Sequence, residues 1–159
     1  MEFCNGGDLA GFIKQRGGHL SEQEARLILK QIVKGLIAIR AKKVMHRDLK
    51  LANIMLNFPR LTPEQYTDPS FKLKQYVSEV DIVGNSKTEG VPFEVKIADL
   101  GFARKLDDDD LSSTKLGTPL VMAPEVLDDK KYDHSADVWS LGCIFYELMT
   151  GYTPFTGRN

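Results

Sequence analysis

The sequence has little of what marks secreted, membrane or nucleic-acid-binding proteins. Its 159 residues include two cysteines, Cys4 and Cys143, too few for a disulfide framework or a four-cysteine zinc site, and nothing resembles a signal peptide. A cytoplasmic location is therefore expected. Its 21 basic and 22 acidic residues include no basic block, which argues against binding to nucleic acid phosphates.

Long apolar runs are missing as well. The longest, from Val138 to Met149, is interrupted by Ser140 and Glu147, and it is too short to span a membrane. We expect this run to form a buried helix that ends at Gly151. The composition as a whole is that of one globular domain.

A capping box begins the clearest helix of the sequence. Ser21 and Glu24 can each satisfy a free amide at a helix start, and the apolar spacing that follows predicts a long amphipathic helix. The stretch 44–56 is typical of a loop between two short strands, and 93–98 alternates as a further strand. Prolines and glycines among polar residues indicate an inserted loop at about 57–93.

The strongest chemical signal is His-Arg-Asp-Leu-Lys-Leu-Ala-Asn at 46–53. Asp-Leu-Gly follows at 99–101 after a predicted strand, then Ala-Pro-Glu at 123–125, then the apolar helix. These motifs, in this order, resemble the C-terminal lobe of eukaryotic protein kinases. The resemblance covers residues 1–159 apart from the insertion. It implies an α+β fold, mainly helical with short β-hairpins.

The resemblance implies roles for three residues in transfer of the γ-phosphoryl group of ATP. Asp48 would orient the attacking hydroxyl and take its proton, because this reaction depends on positioning and charge neutralisation. Side-chain oxygens of Asn53 and Asp99 would bind Mg²⁺, which prefers hard oxygen ligands. Considered alone, Asn53 is more simply explained as a turn residue.

Two further residues indicate the acceptor. Lys50 resembles the lysine that serine/threonine kinases place against the transferring phosphate and that tyrosine kinases usually lack. Thr118, within Gly-Thr-Pro, would bridge Asp48 and Lys50, although an ordinary turn threonine is the alternative. The resemblance therefore implies a protein substrate with a serine or threonine acceptor.

The start of the chain resembles the hinge that binds adenine in kinases. Main-chain groups of Glu2 and Cys4 would hydrogen-bond the adenine ring, and Asp8 would lie near the ribose or a basic substrate residue. Met55 would pack under the ring, although an apolar strand residue is usually only part of the core. A simple glycine-rich turn is the alternative for the segment.

Arg47 and Thr114 indicate regulation. Thr114 lies between the Asp-Leu-Gly and Ala-Pro-Glu motifs, and a phosphate on it would add about two negative charges for Arg47 and Arg104 to pair. We predict that this phosphorylation orders the segment 99–125, which would involve an activating kinase or regulatory subunits. A structural salt bridge is the alternative for Arg47.

The sequence departs from the kinase pattern in several places. Leu100 replaces the phenylalanine that usually stands in the middle of the Asp-Phe-Gly motif. The insertion separates Asn53 from Asp99. We expect the insertion to be a looped-out hairpin tip, since long loops cost little entropy. No glycine-rich loop or ATP-clamping lysine precedes the hinge, and the sequence stops soon after the apolar helix. We therefore expect a lobe truncated at both ends and inactive by itself.

Within the kinases, the runs 1–9, 96–106 and 122–127 are most similar to the autophagy-initiating Unc-51-like serine/threonine kinases. Two other functions stay open. A truncated pseudokinase would use the same surface as a binding or regulatory module. A small-molecule phosphotransferase of the aminoglycoside kinase type is disfavoured by the Thr-Pro and Ala-Pro-Glu sequences.

Overall fold

The computed structural model describes residues 3–68, 70, 72–84, 90–105, 112 and 116–156. The α-helices that lie wholly within these residues are α1 Leu9–Gln15, α2 Glu22–Ala41, α3 Pro63–Thr67, α4 Leu73–Glu79, α5 Pro124–Leu127 and α6 Ser135–Thr150. Single turns of 3₁₀ helix occur at Leu51–Asn53, Leu100–Phe102 and Pro119–Val121. The strands are β1 Val44–Met45, β2 Ile54–Asn57, β3 Glu94–Ile97 and β4 Arg104–Lys105.

The predicted capping box begins α2. Ser21 Oγ accepts a hydrogen bond from Glu24 N at 3.3 Å, and Glu24 Oε2 accepts one from Ser21 N at 3.0 Å. Ala25, Ile28 and Ile32 are buried on one face of the helix, as its apolar spacing requires. The prediction of a long amphipathic helix is confirmed.

The strands form two antiparallel pairs. In the longer pair, Ile54 of β2 lies opposite Ile97 of β3, and Asn57 lies opposite Glu94. The shorter pair joins β1 to β4. Helices with a few short antiparallel strands confirm the predicted α+β fold.

The connection 58–93 between β2 and β3 is not the looped-out tip expected from the sequence. It contains α3 and α4, and Val77 and Ile82 are buried in the main core. Phe58 and Phe93, at its two ends, are buried with ring centroids 5.6 Å apart in an edge-to-face contact. The expectation was wrong because the apolar residues between the prolines and glycines pack into the core and fold the connection against it.

α6 is buried on one side only. Cys143, Ile144 and Leu148 face the core, whereas Val138 and Tyr146 are 59% and 48% exposed. The predicted helix ends at Gly151 as expected and is buried on one face in the part of the chain that the structure describes. No helix in that part is both long and apolar enough to cross a membrane.

Gly151 terminates α6 in a left-handed conformation with φ +77°, and a Cβ there would lie 2.4 Å from Gly18 O. Gly151→Ala should therefore lower the free energy of unfolding by about 1–3 kcal/mol. In the middle of α6, a Cβ on Gly142 would meet nothing within 4 Å. Gly142→Ala should instead raise the free energy by about 0.5–1 kcal/mol through helix propensity. Urea denaturation followed by circular dichroism measures both values, and equal effects would contradict this role of Gly151.

Candidate active site

The segment 46–53 forms the loop between β1 and β2. Arg47 has φ +69°, a left-handed conformation that is strained in a non-glycine residue. Asp137, in the first turn of α6, accepts hydrogen bonds from His46 N at 2.8 Å and Arg47 N at 2.9 Å. These bonds satisfy a carboxylate that is 6% exposed, and they hold the loop in its strained conformation.

His46 joins this loop to the end of β3. The ring is fully buried, with Nε2 2.9 Å from Ala98 O, and Nδ1 accepts a hydrogen bond from Asp48 N at 3.3 Å. These partners fit an arrangement in which Nε2 donates and Nδ1 accepts. The sequence analysis included His46 in the motif without giving it a role, and it missed Asp137, because both side chains bind main-chain groups. The signal available for Asp137 was an aspartate at the start of an otherwise apolar helix.

Asp48 lies at the centre of a hydrogen-bonded group of side chains. Lys50 Nζ donates to Asp48 Oδ2, and Thr118 Oγ1 donates to Asp48 Oδ1, each at 2.8 Å. Lys50 Nζ also donates to Thr118 Oγ1 at 2.9 Å, and Asn53 Nδ2 donates to Asp48 Oδ2 at 3.1 Å. The structure therefore brings together four of the residues singled out in the sequence.

The charge state of Asp48 follows from this group. Burial alone would raise the pKa of Asp48, whose side chain is 3% exposed. The hydrogen bonds from Lys50, Thr118 and Asn53, together with the charge of Lys50, outweigh burial and hold the pKa of Asp48 below its usual value. The group is therefore an ionised hydrogen-bond acceptor at neutral pH.

The turn that carries Thr118 packs directly on the loop. Gly117 has φ +121°, and a Cβ there would lie 2.4 Å from Arg47 O, so only glycine permits this approach. After the turn, Val121 O accepts a hydrogen bond from Ser140 Oγ of α6 at 2.8 Å. α6 therefore holds both the loop and the turn that meet at the Asp48 carboxylate.

Asn53 and Asp99 line one cavity of about 690 Å³. Asn53 ends the 3₁₀ turn before β2, and Asp99 follows β3 with φ +60°. Asn53 O accepts a hydrogen bond from Ala98 N at 2.8 Å, which extends the β2–β3 pairing towards Asp99. Because Asn53 Nδ2 also donates to Asp48 O at 2.7 Å, its Oδ1 is the atom left to bind a cation.

The donor set of this cavity fits Mg²⁺. Among the described side chains, no group of three or more His, Cys, Asp or Glu could hold a metal ion. Mg²⁺ does not require such a group, because it keeps several waters and is usually bound by one or two carboxylates plus substrate phosphates. The carboxylate of Asp99 and the amide oxygen of Asn53 meet that requirement.

The same cavity is lined by Cys4 and Met55, which were predicted to contact adenine. Asp8 forms an isolated β-bridge with Met55, which connects the start of the chain to β2. The Asp8 side chain accepts a hydrogen bond from Gly11 N at 2.8 Å and caps α1, so its carboxylate has a structural task here. Glu2, the other predicted hinge residue, lies outside the described residues.

Arg47 contacts the segment 99–125 through its guanidinium, whose Nε donates to Phe102 O. Within the same segment, Arg104 Nη1 donates to Ser112 Oγ at 3.4 Å. Thr114, the predicted phosphorylation site, lies outside the described residues. In the structure, the two arginines predicted to pair with its phosphate therefore donate to Phe102 and Ser112.

Comparison with known proteins agrees with the motifs. The protein kinase domain model matches residues 1–159. Over its whole length the chain is 36% identical to serine/threonine-protein kinase ATG1a of Arabidopsis thaliana, 37% to serine/threonine-protein kinase unc-51 of Caenorhabditis elegans and 37% to serine/threonine-protein kinase ULK1 of Homo sapiens. It spans 20%, 16% and 13% of these relatives, respectively. The resemblance to the Unc-51-like kinases is thereby confirmed, and the chain belongs to the protein kinase domain family.

Proposed function

We propose that residues 1–159 form the C-terminal lobe of a serine/threonine kinase domain, with 57–93 as an insertion. The proposed activity is transfer of the γ-phosphoryl group of Mg²⁺-bound ATP to a serine or threonine hydroxyl of a protein. The observation that carries this proposal is the ionised Asp48 carboxylate, bound by Lys50 and Thr118. The three side chains are hydrogen-bonded to one another. The acceptor hydroxyl and the transferring phosphate would meet beside them.

In the proposed mechanism, Asp48 accepts a hydrogen bond from the substrate hydroxyl and directs its oxygen towards phosphorus. The lowered pKa makes the carboxylate a weak base, so orientation dominates and the proton moves to Asp48 late in the transfer. Lys50 donates to Asp48 in the structure and would contact the transferring phosphate. Mg²⁺, when held by Asn53 and Asp99, supplies charge neutralisation at the phosphates.

The cavity lined by Cys4 and Met55 would take the adenine ring. This assignment rests on the apolar wall of the cavity and on its continuity with Asn53 and Asp99. A role in autophagy is proposed from the resemblance to the Unc-51-like kinases, and a cytoplasmic location from the dependence of the proposed reaction on ATP. The protein substrate is proposed to present a serine or threonine, as the relatives' names state for their own activity.

The first prediction from the proposed function concerns Asp48 as the group that receives the proton. Asp48→Asn in the full-length protein should lower kcat by about 10²–10⁴-fold, because the amide cannot accept that proton. Nucleotide affinity should change little. Phosphate incorporation and nucleotide binding are the measurements, and Asp68→Asn, at an exposed aspartate of the insertion, is the control. Near-normal activity of Asp48→Asn would sink the proposed function.

The second prediction concerns the pKa of Asp48. Thr118→Val removes a donor that stabilises the ionised carboxylate, so the pKa of Asp48 should rise towards its usual value. The acid limb of the kcat-against-pH profile should then move to higher pH. Thr118→Ser keeps the hydroxyl and should keep the wild-type limb. An unmoved limb in Thr118→Val would remove Thr118 from the proposed mechanism.

The third prediction concerns Thr114. Its proposed phosphorylation is supported by the contact of Arg47 with the segment 99–125, because a guanidinium already beside this segment is available to a phosphate. Thr114→Ala should lower the activity of the full-length protein isolated from cells, and Ser113→Ala is the neighbouring control. Unchanged activity in Thr114→Ala, or an equal loss in both variants, would reject this site.

A further inference from the structure

The β2–β3 pair lacks the feature that normally fixes the register of a hairpin. In most hairpins a turn of a few residues sets which residues lie opposite one another. Here the strands are joined by the connection 58–93, which is too long to impose a register. Asn53 and Asp99 lie at the opposite end of this pair, so a slip of two residues would displace one from the other by about 7 Å.

The first end of the connection is held by Asn5. Its Nδ2 donates to Phe58 O at 3.1 Å, and its Oδ1 accepts from Phe58 N at 2.7 Å. Phe58 is the first residue after β2. Its N–H and its C=O are therefore both hydrogen-bonded to Asn5 just beyond the last residue that pairs with β3. The neighbouring Gly6 packs so closely that a Cβ would lie 2.6 Å from Phe58 Cε2, and its N donates to Leu56 O at 2.9 Å.

The second end is held by Gln31 of α2. Its Nε2 donates to Phe93 O at 3.3 Å, and its Oε1 accepts from Val95 N at 3.0 Å. The carboxamide therefore bonds to the edge of β3 as a neighbouring strand would. One turn later in α2, a Cβ on Gly35 would lie 2.9 Å from Ile97 Cδ1, so the helix itself approaches the strand closely.

The two held residues also contact each other. The rings of Phe58 and Phe93 meet edge to face at 5.6 Å, and Phe12 of α1 lies 5.9 Å from Phe93. Asn5 and Gln31 themselves lie outside the connection, one before α1 and one in the middle of α2. Within the connection, their hydrogen bonds reach only its end residues, Phe58 and Phe93.

We propose that Asn5 and Gln31 are positioning residues that fix the register of β2 against β3 and thereby keep Asp99 beside Asn53. The two carboxamides replace the tight turn that this hairpin lacks. The part of this inference that concerns Mg²⁺ rests on the proposed function. The part that concerns the register depends only on the hairpin, so the two parts are tested separately.

Amide hydrogen exchange of the full-length protein, without nucleotide or metal, tests the register. In Gln31→Leu, peptides that cover β2 and β3 should exchange about tenfold faster, because two hydrogen bonds to the strand edge are lost. Gln31→Glu keeps the acceptor for Val95 N and should give an intermediate rate. In β2, Asn5→Leu should likewise give faster exchange, and Asn5→Asp an intermediate rate. Gln23→Leu, at an exposed glutamine of α2, is the matched control.

The same protection in Gln31→Leu and Gln23→Leu would overturn the register proposal. Should Gln31→Leu not fold, Gln31→Glu takes its place in this comparison. Faster exchange spread evenly over the whole chain, rather than concentrated in β2 and β3, would also overturn it, because the residue would then support general stability only.

Mg²⁺ titration of nucleotide binding tests the consequence for the metal. In Gln31→Leu, the Mg²⁺ concentration at half-saturation should rise about tenfold, while nucleotide affinity without Mg²⁺ stays unchanged. Asp99→Asn separates the two proposals. A normal titration in Asp99→Asn would reject the metal site itself. A shift in Asp99→Asn without one in Gln31→Leu would reject only the positioning role of Gln31.

Discussion

The site depends on the two hydrogen bonds that the Asp137 carboxylate accepts from His46 N and Arg47 N. A left-handed Arg47 is unfavourable by about 1–3 kcal/mol, so the loop needs an external partner to keep that conformation. Asp137 can be that partner although it is buried, because the two main-chain donors satisfy its carboxylate oxygens. The turn at Gly117 packs on Arg47 O, so the position of Thr118 depends on the same two bonds.

Two helices divide the task of holding the site. α6 supplies Asp137 to the loop and Ser140 to the turn, and so controls the group around Asp48. α2 supplies Gln31 to β3, and so controls the strand that leads to Asp99. The two halves meet where His46 Nε2 contacts Ala98 O. A functional site built this way has its geometry set by long, packed elements, although most of its residues lie on loops.

The sequence predicted the elements and residues whose signal is local. The capping box of α2 and the chemistry of the segment 46–53 depend on residues a few positions apart. Asp137 and Gln31 were missed because a side chain that binds main-chain atoms requires no particular residue type in its partner. The burial of the connection 58–93 was not predicted for a related reason. Its apolar residues have no regular spacing, and their burial becomes clear only when α4 is seen to pack against α1.

In the proposed mechanism, the position of Lys50 explains how one carboxylate would orient a hydroxyl without being a strong base. Its ammonium group lowers the pKa of Asp48, which weakens the carboxylate as a base but keeps it ionised and able to accept a hydrogen bond. Phosphoryl transfer tolerates this, because the bond to the leaving oxygen is largely broken before the hydroxyl must lose its proton. In the proposed mechanism, the same ammonium group would also lie close to the phosphate on which negative charge accumulates. Removal of Lys50 would make Asp48 a stronger base, but it would also remove the positive charge beside the phosphate. The ion pair therefore favours orientation of the hydroxyl over basicity of the carboxylate.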